Sequence, residues 1–293
     1  MMTVGNAVKV YTVQAFSDRP DGGNPAGVVL AADHLTEAKM QAIAAEVGYS
    51  ETAFVLPSEK ADFRLRFFTP SAEVDLCGHA TIATFFTMLK LQVIQAGNYR
   101  QETLAGILDV SVSADGDIMM AQSPPVFLGA VDQEAIADSL NLALFDLDER
   151  FPVEIVSTGL ADIIVPVRSL SILLGMQPDF EKVRLLSERY DTVGYHIFTL
   201  ETLNPNNTAH CRNLAPRFGI PEESATGTAN GALSAYLFKH QVISKSEANP
   251  LCYEQGDVMA SPSLIRAALA VENAQIQTVW VGGSAYVTGE RVL

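Results

Sequence analysis

The sequence predicts an α+β protein of two pseudo-symmetric domains, each a curved, mostly antiparallel sheet or barrel around a central buried helix. Three observations predict this. Residues 78–90 form an uncharged run that closes on Lys90 and carries apolar residues on every helical face. A helix that is apolar all round belongs inside a protein. The same design returns in residues 227–239, which close on Lys239 with the spacing from the opening glycine to the lysine unchanged. Acids precede both openings (Glu73 and Asp75; Glu222 and Glu223), and a cation ends both, the polarity a helix dipole favours. Finally, strand patterns outnumber helical ones and do not alternate regularly with them, which argues against a doubly wound parallel sheet.

In chain order, residues 8–16 read as a strand, followed by the turn-rich stretch Ser17-Asp-Arg-Pro-Asp-Gly-Gly-Asn24-Pro25 and a short apolar strand at 26–30. Residues 36–46 have helical spacing, with a cap at Thr36 and a stop at Gly48. Strands follow at 51–56 and 61–68, ahead of the first buried helix. Further strands lie between 100 and 121 and include an Asp115-Gly116 hairpin turn. Ser123-Pro124-Pro125 marks a domain boundary, giving domains at 1–124 and 125–284. The second domain reads as a helix at 133–140, strands at 153–157 and 162–167, and a helix at 179–190. Strands are expected at 195–200 and 208–213, then, after the second buried helix, at 264–271, 275–281 and 285–292.

The 293 residues suffice for two ordinary domains, and 48% hydrophobic with 18% charged residues describes a globular chain with a sizeable core. No apolar run is long enough for a membrane-spanning helix. The first sixteen residues lack the basic start and apolar segment of a signal peptide, so a cytoplasmic location is expected. Three widely spaced cysteines (Cys77, Cys211, Cys252) argue against a disulfide framework. A net charge of −15 excludes binding to a nucleic-acid backbone, which rests on Lys and Arg. Helix N-termini can still hold a small anion locally.

Glu51 opens the strongly apolar strand Glu51-Thr-Ala-Phe-Val. It reads either as an exposed strand-end carboxylate or as a general base whose pKa partial burial raises toward working pH. His79 lies in the first turn of the first buried helix. A helix N-terminus disfavours the imidazolium, so the ring is expected neutral, ready to donate to an oxyanion or shuttle a proton. Against that stands a plain core histidine. Cys77 suggests a nucleophilic Cys–His pair, or a metal site with Asp75 and His79. The simpler reading is a small buried cysteine, since residues two apart at a helix start do not face each other and no second His/Cys cluster supplies ligands. Thr226-Gly227-Thr228 opens the second buried helix. If the domains face each other, the amides of Gly78, His79, Gly227 and Thr228 converge on one anion site without any Lys or Arg. Glu223 is the nearest second carboxylate, acting either on substrate or only on the helix dipole.

Several stretches resemble the PhzF family of phenazine biosynthesis-like proteins. They are Gly23-Asn24-Pro25-Ala26-Gly27, Ser50-Glu51-Thr52-Ala53-Phe54, Phe67-Phe68-Thr69-Pro70 followed by Cys77-Gly78-His79-Ala80-Thr81, Ala225-Thr226-Gly227-Thr228-Ala229 and Val281-Gly282-Gly283. The resemblance implies a diaminopimelate epimerase-like fold with the active site between two domains. It also suggests that the last strand, about residues 285–293, returns to the first domain. It implies an isomerase that needs no metal or other cofactor: the phenazine member isomerises trans-2,3-dihydro-3-hydroxyanthranilate, a glutamate taking a proton from one ring carbon and returning it to another. That glutamate matches Glu51, its histidine His79, and its helix-start glycines Gly78 and Gly227. Ser50, Asn24 and Thr228 match the substrate-binding set, and a homodimer is implied. Two departures stand out: Glu223-Ser224 replaces the family's aspartate-proline, and an arginine usual near the end is missing at Ala260-Ser261-Pro262-Ser263.

The sequence therefore points to a cofactor-independent isomerase of a small carboxylate, with Glu51, His79 and Glu223 as catalytic residues. A cysteine-based racemase is a rival, but Thr226 holds the position that matches Cys77, and a threonine hydroxyl is a poor base at neutral pH. A catalytically inert ligand-binding protein that retains the fold is the rival from another class.

Overall fold

The computed structural model describes residues 7–245 and 249–293. The chain divides into two compact units, one formed by the residues up to Met120 together with Gly282–Leu293, the other by Ala121–Val281. Among the described residues, no helix is long and apolar enough to cross a membrane.

The first unit contains β1 (Lys9–Ala15), β2 (Asn24–Val29), α1 (Glu37–Val47), β3 (Glu51–Leu56), β4 (Phe63–Phe68), β5 (Glu73–Val74), α2 (Gly78–Lys90), β6 (Gly97–Thr103), β7 (Gly106–Val112) and β8 (Ile118–Gln122), the last running to the unit's edge. The second contains β9 (Val126–Ala130), α3 (Gln133–Ser139), β10 (Glu154–Ser157), β11 (Ala161–Pro166), α4 (Leu170–Gly175), α5 (Phe180–Arg189), β12 (Tyr195–Thr199), β13 (Ala209–Ala215), β14 (Ile220–Glu223), α6 (Gly227–Lys239), β15 (Leu251–Gln255), β16 (Ser263–Glu272) and β17 (Gln275–Gly283). The closing strand β18 (Ala285–Val292) pairs antiparallel with β1, which places it in the first unit.

The strand pairings repeat element by element. β1–β2 and β10–β11 are antiparallel, while β2–β3 and β11–β12 are parallel. β3–β4 and β12–β13 are antiparallel, and β4–β6 and β13–β15 parallel. β6–β7 and β15–β16 are again antiparallel. A parallel pair needs a crossover, and helices supply it in both units: α1 between β2 and β3, α4 and α5 between β11 and β12. These crossover helices cover the outer faces. Met40, Ile43, Ala44 and Val47 of α1 cluster with Val10, Val29 and Phe54. Leu173 and Val183 cluster with Ile163, Val165 and Ile197.

α2 and α6 occupy the inner faces, their bounds coinciding with the two uncharged runs of the sequence. α2 is buried from His79 to Met88, and α6 from Ala229 to Leu237. Polar side chains tolerate this burial because they turn back on their own helix. Thr81, Thr84 and Thr87 each donate to the carbonyl four residues earlier, at 2.9, 2.7 and 2.7 Å. In α6, Ser234 donates to Asn230 O at 2.8 Å. Close packing also fixes Gly194 ahead of β12: a Cβ there would stand 1.8 Å from the carbonyl oxygen of Leu214.

α1 carries the expected cap and stop: Thr36 accepts from the Lys39 amide, and Gly48 is left-handed at φ 75°. Gly116 closes the expected turn between β7 and β8 with φ 93°. Sequence reading passed over β5, β9, β14, β15 and α4. Four of these are strands of two to five residues, and α4 is a six-residue helix, too short for a periodicity to register.

The acids ahead of the buried helices do more than face a dipole. Glu73 receives Arg66 of β4 through two bonds of 2.7 and 2.6 Å. Glu222 receives Arg212 of β13 through two bonds of 2.8 Å. Each bidentate pair ties a strand to the short strand that leads into the helix, so the repeat extends to its ion pairs. Arg212 is almost fully buried and also donates to the carbonyls of Leu173 and Met176 at 3.0 Å.

Candidate active site

In the first unit, the start of β3, the start of β2 and the N-terminus of α2 bring Glu51, Ser50, Asn24, Cys77 and His79 together. His79 Nε2 lies 3.2 Å from Glu51 Oε2 and 3.3 Å from Ser50 Oγ. On the other edge of the ring, Nδ1 lies 3.4 Å from Asn24 Nδ2 and 3.4 Å from Cys77 Sγ. His79 and Cys77 are buried, Glu51 keeps 16% of its side chain exposed, and Ser50 is exposed, so the cluster meets solvent on the Ser50 side.

The electrostatics reverse two sequence expectations. Burial alone pushes the Glu51 carboxyl up, as expected, but the His79 imidazolium, Ser50 and Cys77 outweigh it and hold the carboxyl below its ordinary value. Burial likewise works against the His79 cation, yet Cys77 and Glu51 beside the ring raise its pKa well above the ordinary histidine value. The direction is the reverse of the one expected at a helix start: the neighbours of the ring favour the imidazolium over the neutral form. A carboxylate at 3.2 Å acts more strongly than the partial charge of a helix end. The Cys77 thiol is pushed up, mainly by burial. Glu51 is one anion that faces the ring.

A third expectation also fails: Cys77 does contact His79. The rule that residues two apart diverge holds within a helix. Cys77 is the N-cap, in extended conformation at φ −139°, ψ 116°, and its side chain swings back over the first turn. Nor does Asp75 complete a ligand set. The donors that cluster with Cys77 and His79 come from Glu51, and the three side chains place one ligand atom each within 4.8 Å of one another.

The second unit holds its own constellation at the start of α6. Thr226 Oγ1 donates to Glu223 Oε2 at 2.5 Å, and Gln255 Nε2 donates to the Glu223 carbonyl and to Thr226 Oγ1. Gln255 Oε1 accepts from Asn230 Nδ2 and from the Thr226 amide. Thr226 is the N-cap here, as Cys77 is in α2, so a hydroxyl and a thiol occupy matching positions. Thr228 accepts at its carbonyl from Thr158 at 3.3 Å. Gly78 and Gly227 are the first residues of α2 and α6.

Sequence reading missed Asp162, a fully buried aspartate of β11. Burial, then repulsion from Glu223, pushes its pKa up to about 8. Its backbone partner is Gly194, while Oδ1 has no hydrogen-bond partner. Asp162 sits inside an apolar run, and its charged neighbour, Glu223 of β14, is 61 positions away in the chain. His196 of β12 is held neutral by burial, with its pKa lowered to about 4, between Asn230 and Asn213 at 3.2 and 3.3 Å.

Comparison with known proteins identifies the family of the chain. Residues 13–291 match the PhzC-PhzF family, described as phenazine biosynthesis-like protein. An uncharacterized isomerase of Bacillus subtilis is 36% identical over 95% of this chain and 96% of its own length. An uncharacterized isomerase of Escherichia coli K12 is 33% identical over 95% of this chain and 96% of its own. A crystal structure of a PhzF-family phenazine biosynthesis protein from Bacillus anthracis superposes with a TM-score of 0.87 at 34% identity, over 98% of this chain and 99% of that one. A hydroxyproline epimerase from Agrobacterium vitis shares the fold alone, with a TM-score of 0.63 at 13% identity over 98% and 91% of the two chains.

Proposed function

Since the chain belongs to the PhzC-PhzF family of phenazine biosynthesis-like proteins and is an isomerase of that kind, we propose that it moves a proton between carbons of a small carboxylate-bearing substrate, with Glu51 as the acid/base. The observation that carries the reading is the 3.2 Å pair between Glu51 and His79. The imidazolium keeps Glu51 ionised at neutral pH, the form a general base requires. The carboxylate takes a proton from one substrate carbon, and the C–H electron pair moves into the adjoining π system. The same proton then returns from Glu51 to a second carbon. His79, cationic and donor-only, stabilises the negative charge that develops in between. Ser50 stands at the Nε2 edge of its ring and Asn24 at the Nδ1 edge, where a donor-only ring requires the amide oxygen to be turned toward it, and the first amides of α2, from Gly78, offer donors to an anionic group.

On the resemblance, Glu223, Gly227 and Thr228 of the second unit serve as further substrate contacts, with Glu223 as a second carboxylate. The reaction needs no metal or organic cofactor, because a carboxylate, an imidazolium and a conjugated substrate account for each proton and electron pair. Cys77 is set against a thiol-based racemase: its pKa is raised by burial, whereas a catalytic thiol needs a lowered one. The three free cysteines fit a reducing compartment, hence a cytoplasmic enzyme, and the family resemblance suggests a homodimer.

The test is Glu51→Gln against a panel of cyclic amino- and hydroxy-carboxylates headed by dihydro-hydroxyanthranilate. Turnover should vanish while ligand binding, read by calorimetry, stays within a few-fold of wild type. Turnover that survives the substitution removes Glu51 from the reaction. Ligand binding without turnover in the wild type identifies a binding protein instead.

A further inference from the structure

We propose that Glu51, Cys77 and His79 form a three-ligand site for a borderline-soft divalent ion of the zinc type, and that such an ion switches the protein off. The three donors are the set that Zn²⁺ and Co²⁺ prefer: one carboxylate, one thiolate and one imidazole. With bonds of about 2.0–2.3 Å, tetrahedral coordination sets neighbouring ligand atoms roughly 3.4–3.7 Å apart. His79 Nε2 already stands 3.2 Å from Glu51 Oε2 and 3.8 Å from Cys77 Sγ. All three donors lie within 4.8 Å of one another, so small side-chain adjustments close the triangle.

A second observation points the same way. Glu51 Oε2 is shut off from solvent, and beyond its 3.2 Å contact with the ring nitrogen it has no further hydrogen-bond partner. A buried carboxylate oxygen in that state carries unused acceptor capacity. The charges also balance. Binding sends the Cys77 thiol proton and the His79 Nε2 proton to solvent, leaving one thiolate and one carboxylate to neutralise a divalent ion. Asn24 and Ser50, which also stand against the ring, are uncharged. With Nε2 on the ion, Nδ1 keeps its proton, and the Asn24 amide turned about its last bond presents an oxygen to receive it. The Cys77 thiolate and the mixed donor set select against Mg²⁺ and Ca²⁺, which take oxygen ligands.

The inhibitory consequence, unlike the binding itself, rests on the isomerase reading: an ion here takes up the lone pairs of the base and removes the imidazolium proton. The test titrates purified full-length protein with Co²⁺ and reads absorbance, with no substrate present. One equivalent per chain should produce a thiolate-to-cobalt charge-transfer band with intense visible bands of a tetrahedral ion, and Zn²⁺ should abolish both. Cys77→Ser should lose the charge-transfer band. Glu51→Gln should keep the band with affinity at least tenfold weaker, which guards against misfolding of the cysteine variant. Weak six-coordinate spectra, or a thiolate band that survives Cys77→Ser and so comes from Cys211 or Cys252, overturn the proposal. Because the readout is spectroscopic, cobalt bound without isomerase activity sinks only the functional reading, and activity without cobalt binding sinks only this one.

Discussion

His79 Nε2 stands 3.2 Å from Glu51 Oε2, and the ion pair so formed sets the protonation state of both residues. In Glu51→Gln, the carboxylate that supports the imidazolium is gone, and the His79 pKa should fall. Proton NMR of the ring carbons against pH measures this directly. Because the folded His79 pKa is raised and the folded Glu51 pKa is lowered, the pair stabilises the fold fully between the ordinary carboxylate value of about 4.3 and the ordinary histidine value of about 6.5, and loses that contribution as pH rises through the folded His79 value or falls through the folded Glu51 value. An unchanged His79 titration in the variant means that something other than Glu51 holds the proton.

The two repeated arginine–glutamate pairs should differ in worth. Arg212 is 4% exposed, and its removal leaves the Glu222 carboxylate and two carbonyls unanswered. Arg212→Met should cost about 3–5 kcal/mol. Arg66 is 15% exposed and one of its partners, Glu37, lies in solvent, so Arg66→Met should cost clearly less. Urea midpoints at unchanged m-value decide the order. Equal losses contradict the burial argument.

Asp162 should make alkaline conditions unfavourable. Its folded pKa, about 8, lies above the unfolded value near 4, so the native state holds a proton that the unfolded chain releases. Stability from this group is full below about pH 4 and is lost steadily as pH rises to about 8. Asp162→Asn keeps an oxygen for the Gly194 amide and removes the charge. The variant should be the more stable protein at pH 8, with the difference shrinking toward pH 4. A pH-independent difference in thermal midpoint rules out the linkage.

Gly194→Ala should destabilise strongly, because the new methyl would meet the Leu214 carbonyl at 1.8 Å. The β12–β13 ladder must part to make room, at about 3 kcal/mol or more. Circular dichroism melts measure the loss. A near-neutral substitution shows that the ladder slides freely there.

Much of this architecture was legible in the chain. The two helices from Gly78 to Lys90 and from Gly227 to Lys239 announce themselves because burial on every face leaves a run with no charge. Glu51, His79, Asn24 and Ser50 were legible as short motifs, and the structure brings them around one ring. What did not show was anything that depends on distance across the fold. The raised pKa of His79 follows from Cys77 beside the ring and from Glu51, 28 positions earlier in the chain, neither of which helix-end reasoning includes. Cys77 escaped because a capping residue follows extended, not helical, geometry. Asp162 hid inside an apolar strand, and its significance comes from Glu223 far along the sequence.

The measurement that bears most directly on the central claim is proton NMR of the carboxylate panel incubated with the protein in deuterated water. The account predicts isomerisation, or solvent deuterium appearing on a substrate carbon, with the wild type and neither with Glu51→Gln. Deuterium incorporation that persists undiminished in Glu51→Gln would contradict it, because some other group would then be moving the proton.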